Sequence, residues 1–235
     1  MNASRNTVLF LAVVSLAATA CEPRESAEAR PAGEASQATS TTALPSAAAP
    51  TAAVAYRFVT AQSGNAARYR IREQLVGLDL PNDAVGETKN VTGVISVDDK
   101  GQLISSESKF TVDVTNLVSD KDRRDGFVRR RVLETEQHPT VTLVPTGIRG
   151  VSLPLPTSGS RTFDLIGNLT VRGVTRPTTW KVTADFSPAG LVGKAATSFT
   201  FKDFSIEQPR VPVVLSVDET IKLELDFSMV KEAKS

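Results

Sequence analysis

The residues able to do chemistry are few. Among 235 residues there is one histidine, His138, and one cysteine, Cys21. A lone imidazole removes the His-rich zinc and copper sites and any His pair on a helix. A lone thiol cannot close an internal disulfide. The chain carries no G-x-S-x-G, no H-E-x-x-H and no Cys–His couple, so it shows no nucleophile–base pair. Two polar features remain. Glu73 shares parity with Tyr69, Ile71 and Leu75 in "RYRIREQLVG" (68–77), which points a carboxylate at an apolar face. A carboxylate there needs a partner or a ligand head group. The second feature is the arginine cluster Arg123, Arg124, Arg129, Arg130 and Arg131. Guanidinium groups suit an anionic head group. The acids Asp120, Asp122, Asp125, Glu134 and Glu136 interleave with them, which also fits a solvated helical face.

The elements that must position these residues are mostly strands. "RTFDLIGNLTVRGVTRPTTWKVTADF" (161–186) reads as one long hairpin. Phe163, Leu165, Leu169 and Val171 share one parity, and Trp180, Val182, Ala184 and Phe186 share a face after the turn. Period-two alternation means a sheet with one buried face. Further runs occur at 56–60, 68–77, 89–99, 101–117, 140–148, 194–206 and 220–230. Asp98-Asp99-Lys100-Gly101 and Pro188-Ala189-Gly190 are turn signals, as is Gly173 through Pro177. Regular strands with short turns argue an all-β antiparallel sandwich or barrel. One stretch breaks the rhythm. Around 120–134 the acids come early and the bases late, with Ser119 placed to cap and Pro139 to stop a short helical segment.

The termini are of another kind. Arg5, an apolar run over 8–20 and Ala18-Thr19-Ala20 before Cys21 make residues 1–20 a signal peptide. The run is too short to span a bilayer. "LAATAC" resembles a bacterial lipobox, so Cys21 is expected to carry a lipid and hold the chain to a membrane. Glu22, rather than Asp, after the cysteine leans toward the outer membrane of a two-membrane envelope. Ala, Ser, Thr, Pro and Glu dominate 22–55, which reads as a tether with little to bury. The folded domain is expected over 56–230, with 231–235 as a tail. A net charge of +1 gives no global field for nucleic acid.

The stretches "DRRDGFVRRRVLETEQHPTVTLVPTGI", "IGNLTVRGVTRPTTWKV" and "AATSFTFKDFSI" resemble the YceI-like family. The resemblance covers most of 67–230 and is densest over Gly167 to Pro177. It implies an extended, lipocalin-like antiparallel barrel around a long apolar pocket for an isoprenoid or another long-chain amphiphile. Some positions depart from the pattern. Val132-Leu133 stands where the family has paired Phe, His138 where Tyr is common and Leu143 where Phe is common.

The expectation is therefore an exported, membrane-anchored binding protein of the periplasm or cell envelope. Its pocket is expected to be lined by Tyr69, Ile71, Phe163, Leu165, Leu169, Val171, Trp180, Val182 and Phe186. Glu73 and Arg124 are the expected head-group contacts, and no cofactor, metal or catalytic residue is expected. An envelope module with a solid barrel shows the same alternation, and a barrel enzyme built on Glu73 is a third reading.

Overall fold

The long hairpin is the backbone of the structure. In the computed structural model, which describes residues 54–233, it forms β7 (Gly159–Val171) and β8 (Val174–Ser187), paired without a break from Gly159–Phe186 to Val171–Val174. Its turn is only Arg172-Gly173. Both residues have positive φ, 50° and 75°, as a two-residue turn of the twist-matching kind requires. The expected turn over 173–177 is corrected accordingly: Val174 through Pro177 belong to β8.

The other strands are β1 (Tyr56–Thr60), β2 (Ala66–Leu75), β3 (Asn82–Thr88), β4 (Val91–Val97), β5 (Lys109–Asp113), β6 (Thr140–Arg149), β9 (Gly190–Thr200), β10 (Val214–Val217) and β11 (Thr220–Ala233). Eight of them close a ring in the order β1, β4, β5, β6, β7, β8, β9, β11 and back to β1. All pairings are antiparallel. The fold is an all-β closed barrel with one short helix, as expected. β11 runs through Ala233, so residues 231–233 complete a strand instead of forming a tail.

Two stretches of the ring are double. β1 and β2 pair with the same edge of β11, at Thr60–Met229 and at Ala66–Asp226. Between those pairs β11 has two residues, Phe227 and Ser228, and the opposing chain has five, 61–65. The extra three residues make a large bulge, which bends the strand. Asn65 holds it. Its Oδ1 accepts from Ser228 N at 3.0 Å and its Nδ2 donates to Ala61 O at 2.7 Å. A buried carboxamide thus stands in for a strand partner where the ladder is interrupted. On the far side, β3 and β4 are likewise nearly continuous, broken at Lys89-Asn90.

Beyond these bends the ring loosens. β5 pairs with β4 but not with β3, which is paired with β2 on one edge and meets Val118 through a single bridge on the other. β8 pairs with β9 only from Lys181 onward, and Thr197 Oγ1 donates to Thr179 O at 2.9 Å just past the last pair. Connections fill the gaps. One holds α1 (Asp122–Phe127), which continues as a π-helical turn over Val128–Val132. The other holds a 3-10 turn, Phe201–Phe204, where a strand was expected to run on to 206. The expected strand over 101–117 is likewise shorter, because Ser105–Glu107 turns helically before β5.

The two halves of the barrel pack differently. At the β1 end, Phe58, Ile95, Phe163, Leu165, Val182, Phe186, Phe227 and Met229 fill the interior. The rings of Phe163 and Phe186 lie 6.4 Å apart, within aromatic contact. They line a void of about 60 Å³. At the β2 end lies a cavity of about 1150 Å³. Asn65→Ala is expected to leave Ser228 N without a partner at the junction between the halves. It should lower unfolding stability by about 1–3 kcal/mol, read as a shift of the urea midpoint; an unchanged midpoint would show that the bulge holds itself.

Candidate functional site

The large cavity is built mainly on β2. Ala67, Tyr69, Ile71, Glu73 and Leu75 all line it. The alternate residues point outward and are tied to both neighbouring strands. Arg68 pairs with Glu87 of β3 at 2.5 Å and with Asp226 of β11 at 2.6 Å. Arg70 and Arg72 share Asp83 at 3.3 and 3.4 Å. Across from Tyr69 stands Gly86, where a Cβ would sit 2.2 Å from the ring carbon Cε1. Any larger residue there would push the ring into the cavity. Val112, Leu143, Leu169, Val171, Phe199, Ile221 and Leu223 continue the wall, and Val132 and Leu133 close it from the π-helical turn.

The nine expected lining residues divide by depth. Tyr69, Ile71, Leu169, Val171 and Trp180 line the large cavity. Phe163, Leu165, Val182 and Phe186 do not; they line the 60 Å³ void and belong to the packed half. Parity put all of them inside, but depth along the barrel decides which inward face meets space. Trp180, Phe110, Leu143 and Leu225 border both spaces and form the floor between them. Trp180 is buried, and its Nε1 donates to Thr178 Oγ1 at 3.0 Å.

One polar cluster interrupts the apolar wall. Glu73 is 7% exposed and accepts from Arg124 Nη2. Arg124 Nη1 donates to Asp120 and, at 3.2 Å, to Ser119 Oγ. Burial works against the Arg124 charge, but the hydrogen bonds and charges of Asp120 and Glu73 outweigh it and raise its pKa. The Arg124 hydrogen bond holds the Asp120 carboxyl below the usual carboxylate range. Ser119 does not cap the helix as expected. Its N and Oγ both donate to the buried Asp125 Oδ1, at 2.9 and 2.6 Å, and Lys121 is the residue that precedes the helix. Tyr69 is pushed up to about 12, chiefly by burial, with Arg124 working the other way.

The remaining arginines do not converge. Arg129 donates to Leu117 O at 3.0 Å, while Arg123, Arg130 and Arg131 are exposed. The cluster is one half-buried cation held at the site by acids, Arg129 tied to the Leu117 carbonyl, and three exposed arginines. His138 is half-buried beside the Gly173 turn, and no group of side chains among the described residues could hold a metal ion. Cys21, the leader and most of the tether lie outside the described residues. Among those residues, no helix is long and apolar enough to cross a membrane. Val211, Pro212, Val213, Val214 and Val217, which line the cavity, were missed. The signal for them was the apolar run V-P-V-V-L, outside any expected strand.

The profile of the YceI-like domain matches residues 57–229, most of the chain and the whole barrel. The chain belongs to the YceI-like family. Among curated relatives, a UPF0312 protein of Azotobacter vinelandii is 30% identical over 131 residues, 51% of this chain and 62% of that protein. One from Pseudomonas putida is 27% identical over 134 residues, covering 53% of this chain and 64% of the relative. The aligned region thus spans less than two thirds of either relative. The fold is similar to that of a solved polyisoprenoid binding domain from Saccharophagus degradans, described as implicated in plant cell wall breakdown. That match has a TM-score of 0.54 at 12% identity and covers 77% of this chain and all of that one. BcnA of Burkholderia cenocepacia matches with a TM-score of 0.51 at 14% identity, over 72% of this chain and 96% of that one. Val132, Leu133 and Leu143, named above as departures from the pattern the resemblance implies, all line the cavity.

The phenol provides a test of how dry the cavity wall is. A folded pKa above the unfolded 10.0 means that the native state holds its proton longer. Stability is then full below pH 10 and falls as pH climbs toward 12. Tyr69→Phe should shrink that alkaline loss in urea midpoints measured across the range. Equal losses in both proteins would mean that the phenol is solvated.

Proposed function

We propose that this protein holds one long-chain amphiphile, of isoprenoid type, in the cavity beside β2. The observation that carries the reading is the cavity of about 1150 Å³, walled by aliphatic and aromatic side chains with one polar cluster. Small-molecule sites commonly run to ~300–1,000 Å³, largely apolar with a few placed polar groups. An empty apolar space of this size forfeits packing that a filled core would have, so a cargo is the natural occupant. The description of the Saccharophagus domain as polyisoprenoid binding supports the ligand class. The role is binding, not catalysis: Glu73 is engaged by Arg124 and faces no nucleophile.

The polar cluster selects the head. The Arg124 fork is already occupied by Glu73, Asp120 and Ser119. What the cluster offers a ligand is acceptors. Glu73 is a buried carboxylate that lines the cavity, and Asn82 Nδ2 on the paired strand donates to it at 3.5 Å. A hydroxyl head can donate to that carboxylate, whereas a phosphate placed against it is repelled.

Organic extraction of the purified protein followed by mass spectrometry should release a long-chain amphiphile in near-stoichiometric amount. A prenyl alcohol added to stripped protein should change Trp180 emission saturably, and the prenyl phosphate of equal length should bind at least about tenfold more weakly. Ile71→Arg should leave a folded domain that no longer binds, because a long side chain in an open pocket can turn toward the mouth. Protein that yields no lipid and shows no saturable change of emission would defeat the reading.

Export and anchoring complete the proposal. Cys21 directly follows the leader-like segment, and the tether-like residues after it would let the barrel stand off the membrane. Cys21→Ser should move the protein from the washed membrane fraction to the soluble envelope fraction. Unchanged membrane association would remove the lipid anchor from the account.

A further inference from the structure

We propose that the rim of the cavity docks on a lipid bilayer. Five large apolar side chains stand in water on one side of the mouth: Val76, Leu78 and Leu80 between β2 and β3, and Val213 and Leu215 at the start of β10. Each is between 50 and 76% exposed. They form one built patch. Val76 N donates to Val213 O at 3.0 Å, and Val214 pairs with Leu75. Val76 and Val213 also line the cavity, so patch and cavity wall are one continuous apolar surface.

The area and chemistry of the patch identify what covers it. Its side chains expose on the order of 500 Å², short of the ~800 Å² per partner that a standard protein interface buries. A bilayer makes no such demand, because shallow insertion of a few large side chains binds in proportion to the apolar area buried. Residues 211–217 contain no charge, and 76–81 contain only Asp79. Lys121 and Arg123, both exposed, also line the cavity, interleaved with the acids Asp120 and Asp122, so this part of the mouth carries no excess of negative charge to repel lipid phosphates. Docked in this way, the cavity opens into the hydrocarbon, and an apolar cargo enters or leaves without crossing water. That consequence rests on the cavity holding a lipid; the docking itself does not.

The test uses the chain from residue 21 onward with Cys21→Ser, so that no acyl group can hold it, and phosphatidylcholine vesicles without cargo. The protein should float with the vesicles. Leu80→Asp with Leu215→Asp should lower the floated fraction about tenfold or more. Val192→Asp with Val230→Asp, a pair 51 and 46% exposed on β9 and β11, should leave it unchanged. All four positions are solvent-facing, so circular dichroism and Trp180 emission should match the parent. Failure of the parent to float, or equal loss in the two double variants, would overturn the docking. So would a dimer in light scattering that the rim variant alone abolishes, since the patch would then join two copies of this chain. Extraction of cargo from the same preparations reads the pocket separately, so an empty pocket and a rim that does not dock are distinguishable.

Discussion

Three surplus residues opposite Ser228 decide what this barrel is. A closed eight-stranded ring has an interior that side chains can just fill or that can hold one ligand. Here the ladder between β11 and its neighbour is interrupted, and Asn65 satisfies the backbone at the interruption with a side-chain amide. The interruption costs no unpaired polar group at Ser228 N, so the bend is tolerated inside an otherwise continuous sheet. Below it the ring stays tight and the Phe side chains meet. Above it β3 and β5 part, the helical connection spans the gap, and the walls stand too far apart for side chains to touch across the centre.

The wall that results is specified from outside. Arg68, Arg70 and Arg72 engage acids on β3 and β11. Each such pair is half-exposed and contributes little stability alone. Their collective effect is on register. A slip of one residue would turn three guanidinium groups into the cavity and Tyr69 and Ile71 out to water. The same alternation delivers Glu73 to the interior, where Arg124 meets it from the helical connection. Sheet and helix are thus joined at the polar end of the site.

How much of this was legible follows from what alternation can encode. The long hairpin announced itself because thirteen- and fourteen-residue strands repeat the pattern many times. β3 was missed: Asn82, Asp83 and Gly86 are poor strand formers, and its inward residues Ala84, Gly86 and Thr88 give no large apolar alternation, Gly86 lying under the ring of Tyr69. β10 was missed because Pro209 and Pro212 interrupt the run before it. Glu73 and Arg124 were legible as polar residues in the right places, but their pairing across 51 residues was not. Parity told Phe163 from Asp164; it could not tell Phe163 from Leu169, since both face inward and only their height differs. The bulge at 61–65 drew no reading from the sequence, because its meaning lies in the register of a strand more than 160 residues away.

The floor made by Phe110, Leu143, Trp180 and Leu225 has a further consequence. It is rigid: Phe110 lies over Gly93, where a Cβ would sit 2.2 Å from the ring, and Trp180 is held by Thr178. A tail that reaches it can go no deeper, so the distance from the Glu73–Arg124 pair to this plane acts as a molecular ruler. Chains shorter than the ruler leave a gap that must be paid in lost contact, and longer ones must fold back or trail out at the mouth. In the proposed binding mode the cavity would thus measure a cargo by length, with one end gauged by a hydrogen bond and the other by an indole.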